Sequence, residues 1–498
     1  MISSITDNLP IFIIIIPLFL AFILPVFARR IKLVEGLVIS IEILWFLAAI
    51  YLAALVLLEN GSSIIYNMGG WKAPWGIELK VDSLAALLML VITGVSLPVA
   101  LFAKGNLKKE VGSEERATRF YVLLLLLGGS MAGMALTNDL FNMYVLIEVS
   151  TISCCALVSA RNHPRASEAT FKYLILATLG STFILGSIGF ILITTGYLNM
   201  GFAHMELIQV WQNSPNVVWI AMSFALIGFG VKSALFPLHV WLPDAHSNAP
   251  TPASAILSGL AVKGYIICFL KVMYNVFGQD LMIHFSMDRI LILAGMIAII
   301  AGSLFALAQD ELKRRLAYST VAQIGYLFLG LGLINEKGLT GMLFYLASHA
   351  VIKSSLFLAS GAIISASGKK NISDLAGIGR KMPITMGVFT IGSLSLIGIP
   401  LLSGFVGKWY LLLGSLESGN ILAAIVIILG SVLCAAYLLP IIRIAYFEKA
   451  SDEELEDPAL PQKIALIMLA VAVVVLGILP GSVLELASRA ASEILMIQ

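Results

Sequence analysis

Charged residues are scarce in this 498-residue chain: Asp, Glu, Lys and Arg make up 12% of it, and hydrophobic residues make up 59%. Soluble domains carry about 25% charged residues, so this composition excludes a series of soluble domains. It predicts an all-α polytopic membrane protein surrounded by the lipid bilayer. The formal net charge is only +2, so we predict no nucleic-acid partner.

Motifs for a bound cofactor are also missing. The four cysteines form no CxxC pair, and all of them lie inside apolar runs, at Cys154, Cys155, Cys268 and Cys434. Their spacing suits neither zinc nor an iron–sulfur cluster, and we find no motif for flavin or nickel. We therefore predict no cofactor and no metal site, and we expect the cysteines to be small buried apolar residues.

Long apolar runs are what the sequence has in abundance. A bilayer core about 30 Å thick requires about 20 apolar residues in a helix, and this length predicts fourteen membrane-spanning helices. We interpret the first run as a span and not a signal peptide, because no basic leader or A-x-A cleavage pattern accompanies it. The predicted spans are 11–28, 36–58, 81–103, 119–137, 139–160, 169–196, 216–242, 251–276, 287–309, 319–336, 337–365, 384–412, 420–448 and 462–488.

The distribution of Lys and Arg predicts the orientation. With the N-terminus outside, the inside loops hold 20 of the 31 basic residues, the outside segments hold six and the spans hold five. Cytoplasmic loops carry the Lys/Arg excess, so both termini are predicted to lie outside the cytoplasmic membrane of a prokaryote. Segment 59–80 is predicted to be an external hairpin, and the acidic stretch 451–457 a solvated inside loop.

When Lys271 and the basic residues at the ends of spans are counted with the loops, five lysines remain inside the predicted spans. A charge at the bilayer centre costs about 2.5–3.5 kcal/mol even on the lenient insertion scale, so each lysine requires a partner, water or neutrality. Only the first has an acid on its own helix, at position 168, which predicts an i,i+4 pair reaching the interface. The five are Lys172, Lys232, Lys263, Lys353 and Lys408.

Glu148 is the carboxylate that we place near the middle of a span, whereas Glu42 is expected near the interface. The predicted partner of Glu148 is Lys232 or Lys263, since neither lysine has an acid on its own helix. A purely structural ion pair is the alternative interpretation. With two lysines competing for one carboxylate, we favour a functional pair.

His349 and Lys353 are four residues apart and therefore share a helix face. A lone histidine in a membrane is often a hydrogen-bond donor between helices, but one beside a lysine can pass protons along, which is the interpretation that we favour. Lys408 is preceded by Gly404 and Gly407, where another helix or water can come close.

Two spans that carry lysines are also broken by proline. Pro237 in the seventh span leaves the Ser233 carbonyl without its donor, and Pro400 in the twelfth span does the same for Leu396. Irregular backbone at this depth requires protein or water around it, so the breaks predict hydrated cavities.

The broken spans are five apart in span order, which predicts two inverted five-helix repeats, at 119–276 and 287–448, with ion sites near the midplane. The remaining parts are segment 1–118, with three helices and the hairpin, and segment 449–498, with the inside acidic loop and the last helix. The tenth span offers Gln323 where the fifth has a carboxylate, so the halves are expected to behave differently.

These residues predict a proton relay along the midplane, in the order Lys232, Lys263, His349, Lys353 and Lys408. At an effective dielectric near 20, a second charge about 8 Å away changes the energy of a protonated lysine by about 2 kcal/mol. The membrane potential supplies about 2.3 kcal/mol per charge per 100 mV. Each step could therefore load or unload a proton.

The sequence resembles a known family. Its motifs are NDLFNMYVLIE over 138–148, KSALFPLHVWLPDAH over 232–246, the segment 254–263, and HAVIKSSLF over 349–357. They are similar to the proton-conducting antiporter domain shared by complex I and Mrp-type Na+/H+ antiporters, and the similarity covers nearly the whole chain.

The resemblance implies proton transfer by four matching residues, Glu148, Lys232, Lys263 and Lys408. We add His349 and Lys353 to these candidates for proton transfer. We predict supporting roles for His239, Pro237, Pro400, Asp244 and His246.

The resemblance implies one subunit of a multisubunit complex that handles protons, and the sequence leaves open whether Na+ is carried as well. Lys408 argues against the complex I type that carries glutamate in span twelve, and the chain ends without the long lateral helix of the largest type. The D subunit of an Mrp antiporter is therefore preferred. The alternatives are the equivalent subunit of a membrane-bound hydrogenase or of a complex I-like oxidoreductase, with redox chemistry in partner subunits.

Two other classes remain open. A self-sufficient transporter of an organic solute would require a substrate-sized polar pocket, whereas the charged residues here are spread over five spans. A non-conducting structural subunit would use its ion pairs only to fix helix packing. Flux measurements on the complete complex would distinguish these classes.

Overall fold

Helices make up most of the chain, as the apolar runs predict. The computed structural model describes residues 2–58, 63–104, 107–161, 163–449 and 455–496, and for residues 2–7 the backbone only. The helices of the N-terminal part and the first predicted repeat are α1 (Ile2–Ile23), α2 (Ile31–Leu58), α3 (Ser83–Ala103), α4 (Leu107–Val111), α5 (Glu114–Leu136), α6 (Leu140–Ser159), α7 (Pro164–Thr195), α8 (Met200–Val210), α9 (Pro215–Lys232), α10 (Trp241–Asn248), α11 (Thr251–Ile256), α12 (Val262–Val272) and α13 (Gly278–His284).

The remaining part of the chain is also helical. Two π-helical segments, Leu257–Ala261 and Met273–Phe277, join α11, α12 and α13 into one continuous helix. Downstream helices are α14 (Met287–Leu307), α15 (Leu312–Gly332), α16 (Glu336–Ser367), α17 (Ile378–Lys381), α18 (Pro383–Ile397), α19 (Ser403–Glu417), α20 (Ile421–Phe447), α21 (Leu460–Ile478) and α22 (Gly481–Leu495).

Twelve helices of the described chain are long and apolar enough to cross a bilayer, so the predicted multi-pass α-helical membrane fold is confirmed. The other two of the fourteen predicted spans correspond to α15 and to the broken pair α18–α19, which are not among these twelve. α15 begins at Leu312 and not at residue 319, and it therefore includes the basic run Lys313–Arg315 in its first turn. The exact number of spans stays a prediction.

Both predicted breaks are present. The seventh span ends at Lys232 and resumes at Trp241, and the twelfth ends at Ile397 and resumes at Ser403. Each break contains a residue other than glycine at positive φ, Ala234 at 57° and Leu401 at 71°. Such backbone is costly and persists only where surrounding packing holds it.

The helix ends follow from local sequence. Asp82, Asp139 and Asn335 each precede a helix and accept a hydrogen bond from a backbone N–H in its first turn, at 2.9, 2.7 and 2.7 Å. These side chains satisfy donors that have no partner within the helix. α7 ends at Gly196, whose φ of 78° suits a glycine terminating a helix.

The last predicted span is wrong in its extent. The predicted range is 462–488, but α21 ends at Ile478, and α22 is a separate helix whose buried residues include Leu486 and Ile494. α22 packs against α3 and α16. Hydropathy alone does not distinguish this amphipathic helix from a continuation of the span.

The segment after α2 contains an antiparallel pair, β1 (Ile64–Asn67) and β2 (Glu78–Val81), with Ile64 opposite Val81. Residues 59–62 of the predicted hairpin and 450–454, which include part of the acidic stretch, lie outside the described residues. All four cysteines are buried, as predicted. The most buried spans are α3, α5, α16 and the continuous helix Thr251–His284, whereas α1 and α2 present apolar side chains outward.

Candidate functional site

Glu148 on α6 and Lys232 at the end of α9 form an ion pair. The distance from Lys232 Nζ to Glu148 Oε1 is 3.5 Å, and the lysine side chain is fully buried. The same ammonium donates to Thr151 Oγ1 at 2.6 Å, and Ser181 Oγ donates to Glu148 Oε1. Of the two lysines predicted to compete for Glu148, Lys232 is therefore the partner.

Trp241 packs across the break after Lys232. Trp241 Nε1 donates to the carbonyl of Val231 at 2.8 Å, and the Trp241 ring stacks on Tyr173 at 4.1 Å. The described hydrogen bonds of Lys232 go to side chains and not to the Ser233 carbonyl. Packing of Trp241 across the break thus holds the lysine at a helix end that faces the Glu148 carboxylate.

Lys263 lies just after the π-helical segment Leu257–Ala261. Its ammonium donates to the carbonyl of Ser258, within that segment. Single π-helical turns leave carbonyls that are poorly matched to the helix and are frequent at functional sites. The Ser258 hydroxyl lies 2.9 Å from the hydroxyl of Thr320 on α15, so Lys263 is connected to the second half through one serine.

Lys353 on α16 also bonds to α15, close to Thr320. Its ammonium donates to the Leu316 carbonyl at 2.8 Å and to the Ser319 hydroxyl. Ser319 and Thr320 are adjacent on α15, so hydroxyl groups bridge the interval between Lys263 and Lys353. Their partners are neutral oxygens, and no carboxylate pairs with either lysine among the described residues.

His349 lies one turn before Lys353 on α16 and is fully buried. Neither ring nitrogen has a hydrogen-bond partner within the described part of the chain, so the two residues share a face without bonding to each other. The imidazole stacks on Tyr345, with ring centres 5.9 Å apart. An imidazole that is free at both nitrogens is available to accept or donate a proton through water.

Lys408 on α19 confirms the prediction made from Pro400. Its ammonium donates to the Leu396 carbonyl at 2.8 Å, which is the carbonyl that the proline leaves without an N–H partner. It also donates to Ser431 Oγ at 3.2 Å and lies 4.7 Å from the centre of the Tyr326 ring. Carbonyl dipoles and an aromatic face thus stabilise this cation without a carboxylate.

Gln323 on α15 is the residue that the predicted repeat pairs with Glu148. Its amide accepts a hydrogen bond from Tyr345 OH and donates to Tyr437 OH at 3.3 Å. Tyr345 is also 5.8 Å from Lys408 Nζ. The described side-chain partners of Gln323 are therefore neutral hydroxyls. We call the set Lys232, Lys263, Lys353, His349 and Lys408 the lysine line.

The comparisons with known proteins agree with one another. A family profile described as NADH:quinone oxidoreductase/Mrp antiporter, transmembrane, matches residues 137–434. The NADH-quinone oxidoreductase N subunit of Desulforudis audaxviator is 38% identical over 450 residues, which are 89% of this chain and 87% of the relative. The Na(+)/H(+) antiporter D subunit of Alkalihalophilus pseudofirmus is 29% identical, over 98% of this chain and 97% of the relative.

The chain belongs to the NADH:quinone oxidoreductase/Mrp antiporter family. A chain of the membrane-bound sulfane sulfur reductase, an archaeal respiratory membrane complex, superposes with a TM-score of 0.90 at 30% identity, over 98% of each chain. A chain of the Mrp complex from Dietzia superposes with a TM-score of 0.89 at 25% identity, over 98% of this chain and 97% of the other. The chain is thus an antiporter-like membrane subunit, as its motifs predicted.

Neither histidine of the broken seventh helix has a described side-chain hydrogen bond to the lysine line. His239 stacks on Phe236 at 5.2 Å, and Nδ1 is without a partner in the described region. His246 on α10 is fully buried, stacks on Phe357 at 4.7 Å, and has both nitrogens unbonded within the described chain. Their supporting roles in this antiporter-like protein stay predictions.

Asp244 lies in the first turn of α10 and pairs with partly exposed residues, not with the lysine line. It forms ion pairs with Lys172 at 3.4 Å and Arg314 at 3.2 Å. Lys172 also pairs with Glu168 at 2.8 Å, as predicted for an exposed i,i+4 pair. These residues line a cavity of about 490 Å³ that also contains Arg161. Asp244 therefore joins α7, α10 and α15 at the surface.

Sequence analysis missed two buried lysines by assigning them to loops. Lys271 donates to the carbonyls of Thr137 at 2.5 Å and Ala135 at 3.1 Å, at the C-terminal end of α5. Lys313 donates to the Ala249 carbonyl at 3.3 Å. Cations at helix C-terminal ends are stabilised by the unpaired carbonyls there. The predicted span 251–276 includes Lys271, and this position was the signal that could have placed it inside a helix.

The expectation for Glu42 was also wrong. It lies near the middle of α2, is fully buried, and accepts a hydrogen bond from Ser96 Oγ on α3. Glu148 is therefore not the only carboxylate near the middle of a described span. Counting residues from both helix ends, once α2 is seen to begin at Ile31, would have placed Glu42 correctly.

Proposed function

We propose that this chain is the proton-translocating component of a multisubunit membrane complex, equivalent to the D subunit of an Mrp-type Na+/H+ antiporter. The observation that carries the proposal is the Glu148–Lys232 ion pair at a broken helix, from which further buried lysines continue across the bundle. A purely structural ion pair would not require Lys263, Lys353 and Lys408 to remain in the interior, at a cost of about 2.5–3.5 kcal/mol for each charge.

In this proposal the lysines exchange protons through the groups that separate them. Lys263 and Lys353 are both bonded to neutral oxygens near the adjacent hydroxyls of Ser319 and Thr320. Charging one lysine disfavours the proton on its neighbour, because like charges about 8 Å apart repel by about 2 kcal/mol at an effective dielectric of 20. When Lys232, at the Glu148 end, loses its proton, the next lysine therefore binds a proton more readily.

The organisation that we propose keeps 119–276 and 287–448 as inverted repeats, flanked by 1–118 and 449–498. It is supported by the two helix breaks, each with a lysine close by and a positive φ at a residue other than glycine. Ion sites at interrupted helices near the midplane are characteristic of transporters built from inverted repeats.

A redox-driven complex is the second candidate for the assembly that contains this chain. It is favoured by the similarity to a quinone oxidoreductase subunit and to an archaeal respiratory complex, while the similarity to Mrp proteins favours a stand-alone antiporter. Purification of the native complex would distinguish the two, since a hydrogenase-like or reductase arm would accompany the chain only in the redox-driven assembly.

We propose that the chain lies in the cytoplasmic membrane of a prokaryote and assembles there with other antiporter-like and membrane subunits. Protons are the proposed ions of the lysine line, with Na+ as the ion of antiport at the level of the complex. We propose that both termini lie outside, as the excess of Lys and Arg in the predicted inside loops favours.

The test is proton flux through the complete complex in liposomes with Lys232→Ala. We expect flux to be lost while all subunits still copurify, because the partner of Glu148 is removed from the proposed proton path. Lys172→Ala is the matched control, since this lysine pairs with acids at the surface and should leave flux near the wild-type rate. Wild-type flux in Lys232→Ala would reduce the ion pair to a structural role.

A further inference from the structure

Glu42 is a buried carboxyl that the lysine line does not use. It lies near the middle of α2, outside the region 137–434 that matches the family profile, and is 0% exposed. Ser96 Oγ on α3 donates to Oε2. The other oxygen, Oε1, is buried without any hydrogen-bond partner in the described chain. One carboxyl thus has a single donor in surroundings that are otherwise apolar.

No basic side chain of the described residues pairs with this carboxyl. α3 contains no charged residue between Ser83 and Ala103, and the described side chains of α1 are also uncharged. The charged residues of α5 lie in its first two turns, with Tyr121 just beyond them. On α2 itself, Glu35 is two turns away from Glu42. Beyond the other end of α2, Arg489 donates to backbone carbonyls near residue 57.

The contrast with Glu148 identifies the charge state. Each carboxyl accepts a hydrogen bond from one serine, Ser181 for Glu148 and Ser96 for Glu42. Glu148 has Lys232 at 3.5 Å and is partly exposed, whereas Glu42 has neither a cation nor exposure. An unpaired carboxylate in such surroundings costs several kcal/mol, so the group is more stable when it carries a proton.

A metal ion fits this position less well than a proton. Hard cations bind in shells of about six or more oxygens, and the described contacts of Glu42 supply its own carboxyl and one hydroxyl. Pro98 follows one half-turn after Ser96 within α3 and removes the N–H that would bond to the Gly94 carbonyl. The backbone of α3 beside Glu42 thus has one more acceptor but no further donor.

α3 also packs against both α2, which carries Glu42, and the continuous helix that carries Lys263. Val95, adjacent in sequence to Ser96, has its Cγ1 3.3 Å from where a Cβ on Gly259 would lie, and Gly259 belongs to the π-helical segment before Lys263. Neighbouring positions on a helix point about 100° apart, so α3 presents one face to each. Glu42 and Lys263 are therefore separated by the thickness of a single helix.

We propose that Glu42 and Ser96 form a second proton-binding site of this protein, in which the Glu42 carboxyl holds one exchangeable proton outside the lysine line. The proton binds to a carboxylate oxygen, and Ser96 supplies the hydroxyl that stabilises the anion when the proton leaves. Because α2 and α3 precede the family-matched region, this site is separate from the proposed proton transfer by Glu148 and the lysines.

The test uses the purified complex and dicyclohexylcarbodiimide, which reacts with protonated carboxyl groups in apolar surroundings. Mass spectrometry of the peptide that contains residue 42 should find the label on wild type near neutral pH, and the label should decrease as the pH is raised. Glu42→Gln should abolish it. Glu35→Gln, a change on the same helix, and Ser96→Ala, which keeps the carboxyl, should both retain it.

Infrared spectra provide a second measurement that does not depend on reagent access. The difference between wild type and Glu42→Gln should contain the carbonyl band of a protonated carboxylic acid near neutral pH, and its loss at alkaline pH. A carboxylate band in place of the acid band would overturn the proposal. Labelling that persists in Glu42→Gln would also overturn the proposal. Protection of Glu42 from the label by Na+ would overturn it as well, because it would assign the site to a metal cation.

Discussion

The two broken helices hold their lysines in opposite ways. At the first break, Lys232 faces the carboxylate of Glu148 at 3.5 Å. At the second, Lys408 is held by the Leu396 carbonyl at 2.8 Å and by the ring of Tyr326. The predicted repeat places the neutral Gln323 where the first half has Glu148. One cation is balanced by a full negative charge and the other by dipoles.

The two lysines should therefore release their protons under different conditions. A full countercharge stabilises the protonated lysine strongly, so we expect Lys232 to keep its proton while the Glu148 carboxylate faces it. Dipoles stabilise a cation less, so the charge of Lys408 responds more readily to a neighbouring charge. We expect the first half to act as the switch of the protein and the second half to follow it.

Removing the acid of the first half should have the largest effect. Glu148→Gln leaves Lys232 buried without a countercharge, and breaking a buried pair in this way costs about 3–5 kcal/mol. Proton flux through the reconstituted complex should therefore fall by about 100-fold or more. Gln323→Leu in the second half loses only neutral hydrogen bonds, worth about 1 kcal/mol each, so flux should fall by about tenfold or less. Equal losses in the two variants would contradict the proposed asymmetry.

The second break offers an intermediate effect. Pro400→Ala restores an N–H that can donate to the Leu396 carbonyl, in competition with Lys408. A hydrogen bond worth about 0.5–1.5 kcal/mol should lower flux by about two- to tenfold. Pro440→Ala, within α20 and outside the break, is the matched control in the same flux measurement. A faster Pro400→Ala variant would mean that the Leu396 carbonyl restrains Lys408 and does not support its function.

A third prediction concerns the close approach of helices at Lys408. A Cβ on Gly407 would lie 2.6 Å from Tyr345 Cβ and 2.8 Å from its Cα, so Gly407→Ala must separate α16 and α19. We expect a loss of about 1–3 kcal/mol in stability, measured as a lower midpoint of thermal unfolding of the complex. Gly387→Ala on α18 meets nothing within 4 Å and should be neutral or slightly stabilising. A neutral Gly407→Ala would show that the helices separate easily at this point.

Sequence analysis predicted the parts of this site that depend on strong local rules. Proline must leave a carbonyl free, and Lys408 does bind the Leu396 carbonyl. Lys232 and Lys263 have no acid on their own helices, which predicted Glu148 as a partner across the bundle, and Lys232 does pair with it. The choice between Lys232 and Lys263 required the structure, because it depends on how α6, α9 and α12 are arranged in space.

The two buried lysines that sequence analysis missed are bound by the carbonyl oxygens of neighbouring helix ends, which the sequence does not place. Lys271 and Lys313 were counted with the loops, but the ends of α5 and α10 lie over them and supply carbonyl oxygens. The hydroxyl partners Thr151 and Ser319 could not be selected either, since serine and threonine are common throughout the spans and bond mostly to their own helix. Packing, not composition, distinguishes the functional hydroxyls from the others.

The smallest effect is expected where both halves meet at the surface. Lys172 and Arg314, from α7 and α15, share Asp244 at 3.4 and 3.2 Å, and both side chains are substantially exposed. Exposed pairs contribute about 0–1 kcal/mol and are screened by salt. Lys172→Ala should therefore shift thermal unfolding of the complex only slightly, and less in about 1 M salt than at low ionic strength. A large shift that persists in high salt would mean that this contact, and not the buried line, holds the two halves together.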